Sequence, residues 1–461
     1  MIKLSLAGAA LALLAAAPPP VPQIPDAARV AALRDDALAN DHYAWDLVEG
    51  LTTEVGQRLA GTEAEARARD WAVRRLTALG FSNVHVEPFT MKVWTRGAES
   101  AEIVAPYPQK LVVAALGNSA STGPAGISGQ IAYFDSVEAL SAAPDAAVRG
   151  KIVFIDHHMA PTQDGSGYGQ FGAPRRQGPT IASQKGAIGI VVRSIGTDHH
   201  RNPHTGVQVF ADGAAPIPAG ALTVPDSEQL IRILKRGQPV TMHLTLVSEH
   251  REGGQSGNVV ADLSGRDPSL PMLLVGGHLD SWDQGTGAVD DGAGVAIATA
   301  AAKRIMAAGR PLRTVRIVWF GAEEPGTFGA AAFAKVHGSD KFAAMAESDF
   351  GADRVWKIDT RLGAGRKVEE EALFAALAPL GILKGVTDKA GGSDLEALVE
   401  AGAPVIAFRQ DGTRYFDLHH TPDDTLDKID KDQLRQNVAA WTTMLALLSG
   451  GMTEPKRPVR R

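Results

Sequence analysis

The sequence predicts an α/β fold, a mixed sheet covered by helices on both faces and interrupted by an inserted β-rich module. Three observations predict it. From Ser256 onward short apolar strands alternate with helices, the pattern of a sheet clothed on both faces. Between about Ser119 and Glu249 the texture changes to recurring short β-type runs separated by turns. At 461 residues the chain is too long for one ordinary compact core, so two domains are the natural expectation.

The elements follow in order. Lys3, an uncharged apolar run over 4–14 and Ala15-Ala16-Ala17 read as a signal peptide, 1–17. The run is too short to span a bilayer comfortably. A proline-rich spacer follows over 18–25. The stretch 26–80 is helical in character. Over 64–79, Ala68, Trp71, Ala72, Leu76 and Leu79 recur at helical spacing, and Gly80 closes the helix. A strand is expected over 83–93, so 18–118 forms the N-terminal part of the main domain. Within the inserted module, 119–249, strands are expected over 130–134, 151–155, 188–192 and 240–246, with one helix over 227–235. The catalytic part, 250–450, should hold strands over 272–275, 314–320, 343–346 and 405–408. Its helices are expected over 292–308, 329–336, 369–380, 395–401 and 431–448. A basic tail, 451–461, reads as a frayed and solvated end.

Apolar residues at 44% and charged residues at 21% are ordinary for a soluble globular protein. A net charge of -6 leaves no electrostatic footprint for nucleic acid. Cysteine is absent, which excludes disulfides, thiolate metal sites, a cysteine nucleophile and a lipid anchor on cysteine. A signal peptide on such a chain points to a bacterial periplasm or the medium, and no later segment is apolar enough to anchor the mature form.

The chemistry-bearing residues sit at the ends of expected strands, where sites form in α/β sheets. His278 and Asp280 follow the strand over 272–275. Asp290 and Asp291 precede the helix over 292–308. Glu323 and Glu324 follow 314–320, Asp349 follows 343–346, and His419 and His420 follow 405–408 by a loop. Singly, each has a bland reading: Asp290 as a helix N-cap, Glu323-Glu324 as a solvated pair, His278 as a structural histidine. Two histidines and several acids gathered at strand ends suit zinc. His157-His158 and His199-His200 read as surface pairs in the module. Ser183 and Ser281 lack the context of an activated nucleophile.

These motifs resemble a known family. They are Gly276-Gly277-His278-Leu279-Asp280-Ser281, Gly287-Ala288-Val289-Asp290-Asp291-Gly292-Ala293-Gly294, Phe320-Gly321-Ala322-Glu323-Glu324, Glu347-Ser348-Asp349 and His419-His420-Thr421-Pro422-Asp423-Asp424-Thr425. In order and spacing they are similar to the two-zinc aminopeptidase and glutamate carboxypeptidase family. Thr53-Glu54-Val55-Gly56-Gln57-Arg58-Leu59-Ala60-Gly61-Thr62 and the stretch 193–206 resemble its plasma glutamate carboxypeptidase branch, and the insert then looks like a protease-associated domain. The region 350–388 matches least.

The resemblance implies two zinc ions per chain, bridged by Asp290 and a water or hydroxide. His278 and Asp349 would hold one ion, Glu324 and His420 the other. Glu323 would be the general base. Asp280 would accept the second ring N–H of His278. Asp291 would orient the cluster or meet a substrate amine, and the Asp290–Asp291 peptide bond would be cis. Four positive charges would meet four negative ones from Asp290, Glu324, Asp349 and hydroxide, so the site would be neutral. Further substrate contacts are expected from Tyr415, Ser393, and Arg193 and His204 of the module. The implied activity is that of an exported exopeptidase on dipeptides or short unblocked peptides, with no nucleic-acid partner. A homodimer is left open. The alternatives are a non-catalytic transferrin-receptor-like scaffold and glutaminyl-cyclase-like acyl transfer at one zinc; the complete ligand set argues against both.

Overall fold

The computed structural model describes residues 25–385 and 391–451. The expected signal peptide at 1–17 and the basic residues Lys456, Arg457, Arg460 and Arg461 lie outside the described residues. The chain enters through three helices, Ala27–Asn40, Tyr43–Glu54 and Glu63–Ala78. Thr62 starts the third: its hydroxyl accepts from the Glu65 N–H, while the Glu65 carboxylate reaches back to the Gly61 N–H at 2.8 Å. The other Glu65 oxygen accepts from Ser256, which ties this helix to the sheet.

The main sheet runs in the order Leu383–Lys384, Val355–Arg361, Val405–Gln410, Phe342–Glu347, Met272–His278, Val315–Phe320, Thr241–Leu263. Its four central strands are parallel, and antiparallel neighbours flank them. The four therefore present their carboxyl ends on one side, which is where the expected metal ligands lie. Alternation along the strands explains why both faces are covered. Val315, Ile317 and Trp319 enter one core with the helices Ala293–Ala308 and Lys431–Leu448, while Val318 and Phe320 enter a second core with Phe333 and Leu398. The sequence missed the strand Val355–Arg361, in the stretch that matched the family least.

The module departs from its expected β-rich character. Strands Ile127–Phe134, Ile152–Ile155, Gly189–Arg193 and Ala219–Leu222 run parallel to one another, with antiparallel neighbours at the two ends, Val113–Ala115 and Thr241–Leu263. Parallel pairing requires crossover connections. Short helices supply them, among them Val137–Ala142, Gly178–Gln184 and Val224–Leu234. Three of these strands are buried at every residue, so they read as short apolar runs without alternation. Most crossover helices are too short to leave a helical period; Val224–Leu234 is the longer one and answers the helix expected over 227–235.

No loose linker joins the halves. Ser82–Ala105 and Thr241–Leu263 form one long antiparallel ribbon. Its second strand pairs with Val315–Phe320 at one end and with Ile127–Phe134 of the module at the other.

Candidate metal centre

Local sequence places each candidate. Asp291 is fully buried: Oδ1 accepts from the Gly294 N–H and Oδ2 from the His278 N–H, both at 3.0 Å. It thus caps the helix Ala293–Ala308 and stitches it to the end of the strand Met272–His278. Both neighbouring glycines are required, because a Cβ at Gly277 or Gly294 would stand 2.1 Å from an Asp291 carboxylate oxygen. Both Asp291 oxygens are thus engaged by backbone N–H groups beside the cluster. The Asp290–Asp291 peptide bond is cis, as the resemblance implies. Asp424 holds Asp290 from behind, accepting from the N–H groups of Val289 at 2.6 Å and Asp290 at 3.2 Å. Buried Arg58 donates to the carbonyls of Leu279, Thr286 and Gly287, pinning the loop between the His278 strand and Asp290.

The five expected ligands converge. His278 Nε2 lies 3.1 Å from Asp290 Oδ1 and 3.4 Å from Asp349 Oδ1. His420 Nε2 lies 3.2 Å from Asp290 Oδ2 and 3.0 Å from Glu324 Oε2. The tautomers follow from the opposite ring nitrogens. His278 Nδ1 faces the Asp280 carbonyl at 3.0 Å and His420 Nδ1 faces the Thr205 carbonyl at 3.3 Å. A carbonyl only accepts, so each Nδ1 carries a hydrogen, and Nε2 is the ring nitrogen left facing the carboxylates and available to a metal. Facing carboxylates at about 3 Å, each Nε2 calls for positive charge at that point, which its own proton or a bound metal ion supplies.

The site fits zinc on two further counts. Glu324 Oε1 and Asp290 Oδ2 are buried without a hydrogen bond. Candidate donor atoms of His278, Asp290 and Asp349 lie within 4.8 Å of one another, as do those of Asp290, His419 and His420. Burial opposes charge on His278, yet the carboxylates of Asp349 and Asp290 outweigh it and push its pKa well above the usual imidazole range. For Glu323, burial and the surrounding acids push the carboxyl well above its ordinary value. Ala322 and His420 hold left-handed backbone conformations, with φ of 56° and 60°. Such conformations in non-glycine residues cluster at functional sites.

An open cleft of about 390 Å³ lies over the cluster, lined by Asp290, Glu323, Glu324, Asp349, His419 and His420. Tyr415 and Ser393 also line it. Tyr415 stacks on Phe350, and Ser393 Oγ donates to Asp349 Oδ2 at 3.2 Å.

Three expectations are corrected. The Asp280 carboxylate stands 3.8 Å from His278 Nδ1 and serves elsewhere: its oxygens accept from the Glu323 and Glu324 N–H groups, at 3.0 and 3.3 Å. The backbone carbonyl of Asp280 is the partner of the ring. Arg193 is buried in an ion pair with Asp156 at 2.6 Å and does not line the cleft, because the two residues end adjacent strands of the module. His204 is likewise buried against Asp198 at 2.7 Å. The module nonetheless reaches the cleft, through Tyr168, Arg175 and Val207.

Arg58, Asp424, Tyr168, Arg175, Thr205 and His419 received no role from the sequence. Arg58 and Asp424 stand inside motifs that resemble the family. His419 repeats the type of its neighbour and stacks on His420 at 3.5 Å, where burial and that ring hold it well below the usual imidazole range. Tyr168, Arg175 and Thr205 carried no local signal.

Comparison with known proteins agrees with this geometry. The model of Peptidase family M28 matches residues 258–445. Carboxypeptidase Q of Mus musculus is 32% identical over 398 residues, covering 86% of this chain and 83% of that one. The crystal structure of a Peptidase M28 precursor from Shewanella amazonensis SB2B superposes with a TM-score of 0.89 at 43% identity, covering 94% of this chain and 99% of that one. A zinc aminopeptidase from Bacillus subtilis shares the fold, with a TM-score of 0.65 at 19% identity over 88% of this chain and 94% of its own.

Proposed function

The chain belongs to peptidase family M28 and is a zinc-dependent peptidase, and from that premise we propose that it is an exported exopeptidase that hydrolyses dipeptides or short unblocked peptides at a two-zinc centre. One observation carries the two-ion reading: Asp290 divides its oxygens, Oδ1 toward His278 and Oδ2 toward His420. His278 and Asp349 would hold one ion, Glu324 and His420 the other, and Asp290 both. When bound, the two ions supply Lewis acidity and concentrated positive charge to the reacting carbonyl.

The chain's own residues supply the rest. Glu323 lines the cleft beside the ligands, with its backbone fixed by Asp280. It takes the proton of the attacking water and returns it to the leaving amine. The module narrows the cleft from the opposite side. Arg175 carries no ion pair among the described residues and lines the wall, so it meets the free carboxylate of a short peptide in the place expected of Arg193. A cleft of about 390 Å³ suits a small ligand and not a folded chain. Export rests on the signal-peptide pattern at 1–17.

The experiment is zinc analysis of the purified chain, followed by turnover of unblocked dipeptides, terminally blocked dipeptides and long polypeptides. Two ions per chain with cleavage confined to short unblocked peptides is the expected result. One ion per chain, or equal cleavage of long chains, would overturn the reading.

A further inference from the structure

Tyr168 stands on the short helix Ser166–Phe171 of the inserted module and faces the cleft opposite the ligand loops. Its ring is fixed by the catalytic half, stacked on Phe416 at 4.7 Å and edge-on to His419 at 4.9 Å. The backbone just before it is seated equally firmly. The Gly412 N–H donates to the Gln163 carbonyl at 2.8 Å, and a Cβ at Gly165 would come within 2.4 Å of Phe350. The phenol is thus held on the wall of the cleft, beside the His419-His420 loop, by contacts with both halves.

The hydroxyl has one partner, Arg175 Nη2, at 2.6 Å. A guanidinium only donates, so the phenol oxygen is the acceptor in that bond. The phenol hydrogen must go elsewhere, and the hydroxyl makes no second hydrogen bond among the described residues. The cleft is the direction left to it. Behind it sits the charge of Arg175, itself oriented by donation from Nη1 to the Thr205 carbonyl at 3.1 Å.

We propose that Tyr168 is a catalytic residue contributed by the inserted module, its hydroxyl donating a hydrogen bond to the scissile carbonyl oxygen as that oxygen becomes negative. The proposal rests on the peptidase reading above. In the step it serves, the attacking water oxygen bonds to the carbonyl carbon and the C=O π pair moves onto the carbonyl oxygen. Collapse of that intermediate re-forms the C=O bond and breaks the C–N bond. The proton of the water passes through Glu323 to the departing nitrogen. Tyr168 keeps its proton throughout and acts only as a preorganised donor to developing charge. The site is then complete only with the module docked.

The test is Tyr168→Phe in the full chain loaded with zinc, because phenylalanine keeps the ring packing and removes only the hydroxyl. Loss of one such donor costs roughly 10²–10³-fold in kcat. The expected result is a loss of that order in kcat for an unblocked dipeptide, with KM and zinc content unchanged. A phosphinic dipeptide, which mimics the tetrahedral carbon, should bind the variant more weakly by a comparable factor. Unchanged kcat, or a loss confined to KM, would overturn the role. If the wild type cleaves no peptide, the peptidase reading falls, and the phosphinic compound still decides: weaker binding to the variant supports Tyr168, while equal binding or none to either protein overturns it.

Discussion

Gly206→Ala probes how the module and the metal centre depend on each other. Gly206 has φ of +137°, and an added Cβ would stand 1.9 Å from Arg175 Nη1 and 3.0 Å from His420 Nδ1. The buried guanidinium can move only by giving up its bonds to the Thr205 carbonyl and the Tyr168 hydroxyl. The backbone strain does not go away, and is worth about 1–3 kcal/mol. The contact with His420 is relieved only if the ring or the loop moves. That movement lengthens the bond from His420 Nδ1 to the Thr205 carbonyl, already 3.3 Å. The return bond from the Thr205 N–H to the His420 carbonyl, at 3.0 Å, lengthens with it. Partners that orient a ligating histidine are worth about 10–100-fold in metal affinity. The variant should therefore bind one of its two zinc ions about 10–100-fold more weakly, with the other little changed. The assay is titration of metal-free protein with zinc against a chromophoric chelator of known affinity. Two binding steps that coincide with those of the wild type would refute the reasoning.

Four further outcomes are expected. Glu323→Gln should keep both metals and lose roughly 10²–10⁴-fold in kcat, read by zinc analysis alongside dipeptide turnover; near-normal activity would remove Glu323 from its role. Arg175→Ala should raise KM for unblocked dipeptides more than for their C-terminal amides, and an equal rise for both would separate Arg175 from the carboxylate. In Gly294→Ala, the Cβ would meet the Ser348 carbonyl at 1.9 Å and Asp291 Oδ1 at 2.1 Å, neither on a flexible end. It should cost at least about 1–3 kcal/mol in denaturant unfolding even without metal. Chelation should lower the thermal midpoint, since zinc at about 1,000 times its dissociation constant adds about 4.1 kcal/mol to the folded state; an unmoved midpoint would contradict a metal bound in the buried cluster.

The clustering of the candidate ligands was legible because metal chemistry restricts residue types and the sheet restricts positions. His278, Glu324 and Asp349 each follow a parallel strand whose apolar run is plain in the sequence. Asp290 was legible with its glycines, whose absent side chains make room for the Asp291 carboxylate. What stayed hidden depends on distant parts of the chain. Asp280 lies beside His278 in sequence, yet its carboxylate serves backbone groups 43 and 44 residues away. Arg193 drew attention as a cation in a family-like stretch, and only the parallel pairing of its strand with Ile152–Ile155 shows that Asp156 takes it. Arg175 lies in a glycine- and proline-rich crossover with no period, so nothing local marks it as the cation of the cleft. The parallel character of the module was hidden likewise, since a short apolar run carries no strand direction.

The most direct test of the two-zinc account is anomalous diffraction at the zinc edge from crystals of the zinc-loaded chain. The account predicts two peaks, one contacted by His278 and Asp349, the other by Glu324 and His420, with Asp290 touching both. A single peak, or two peaks that do not share Asp290, would contradict it.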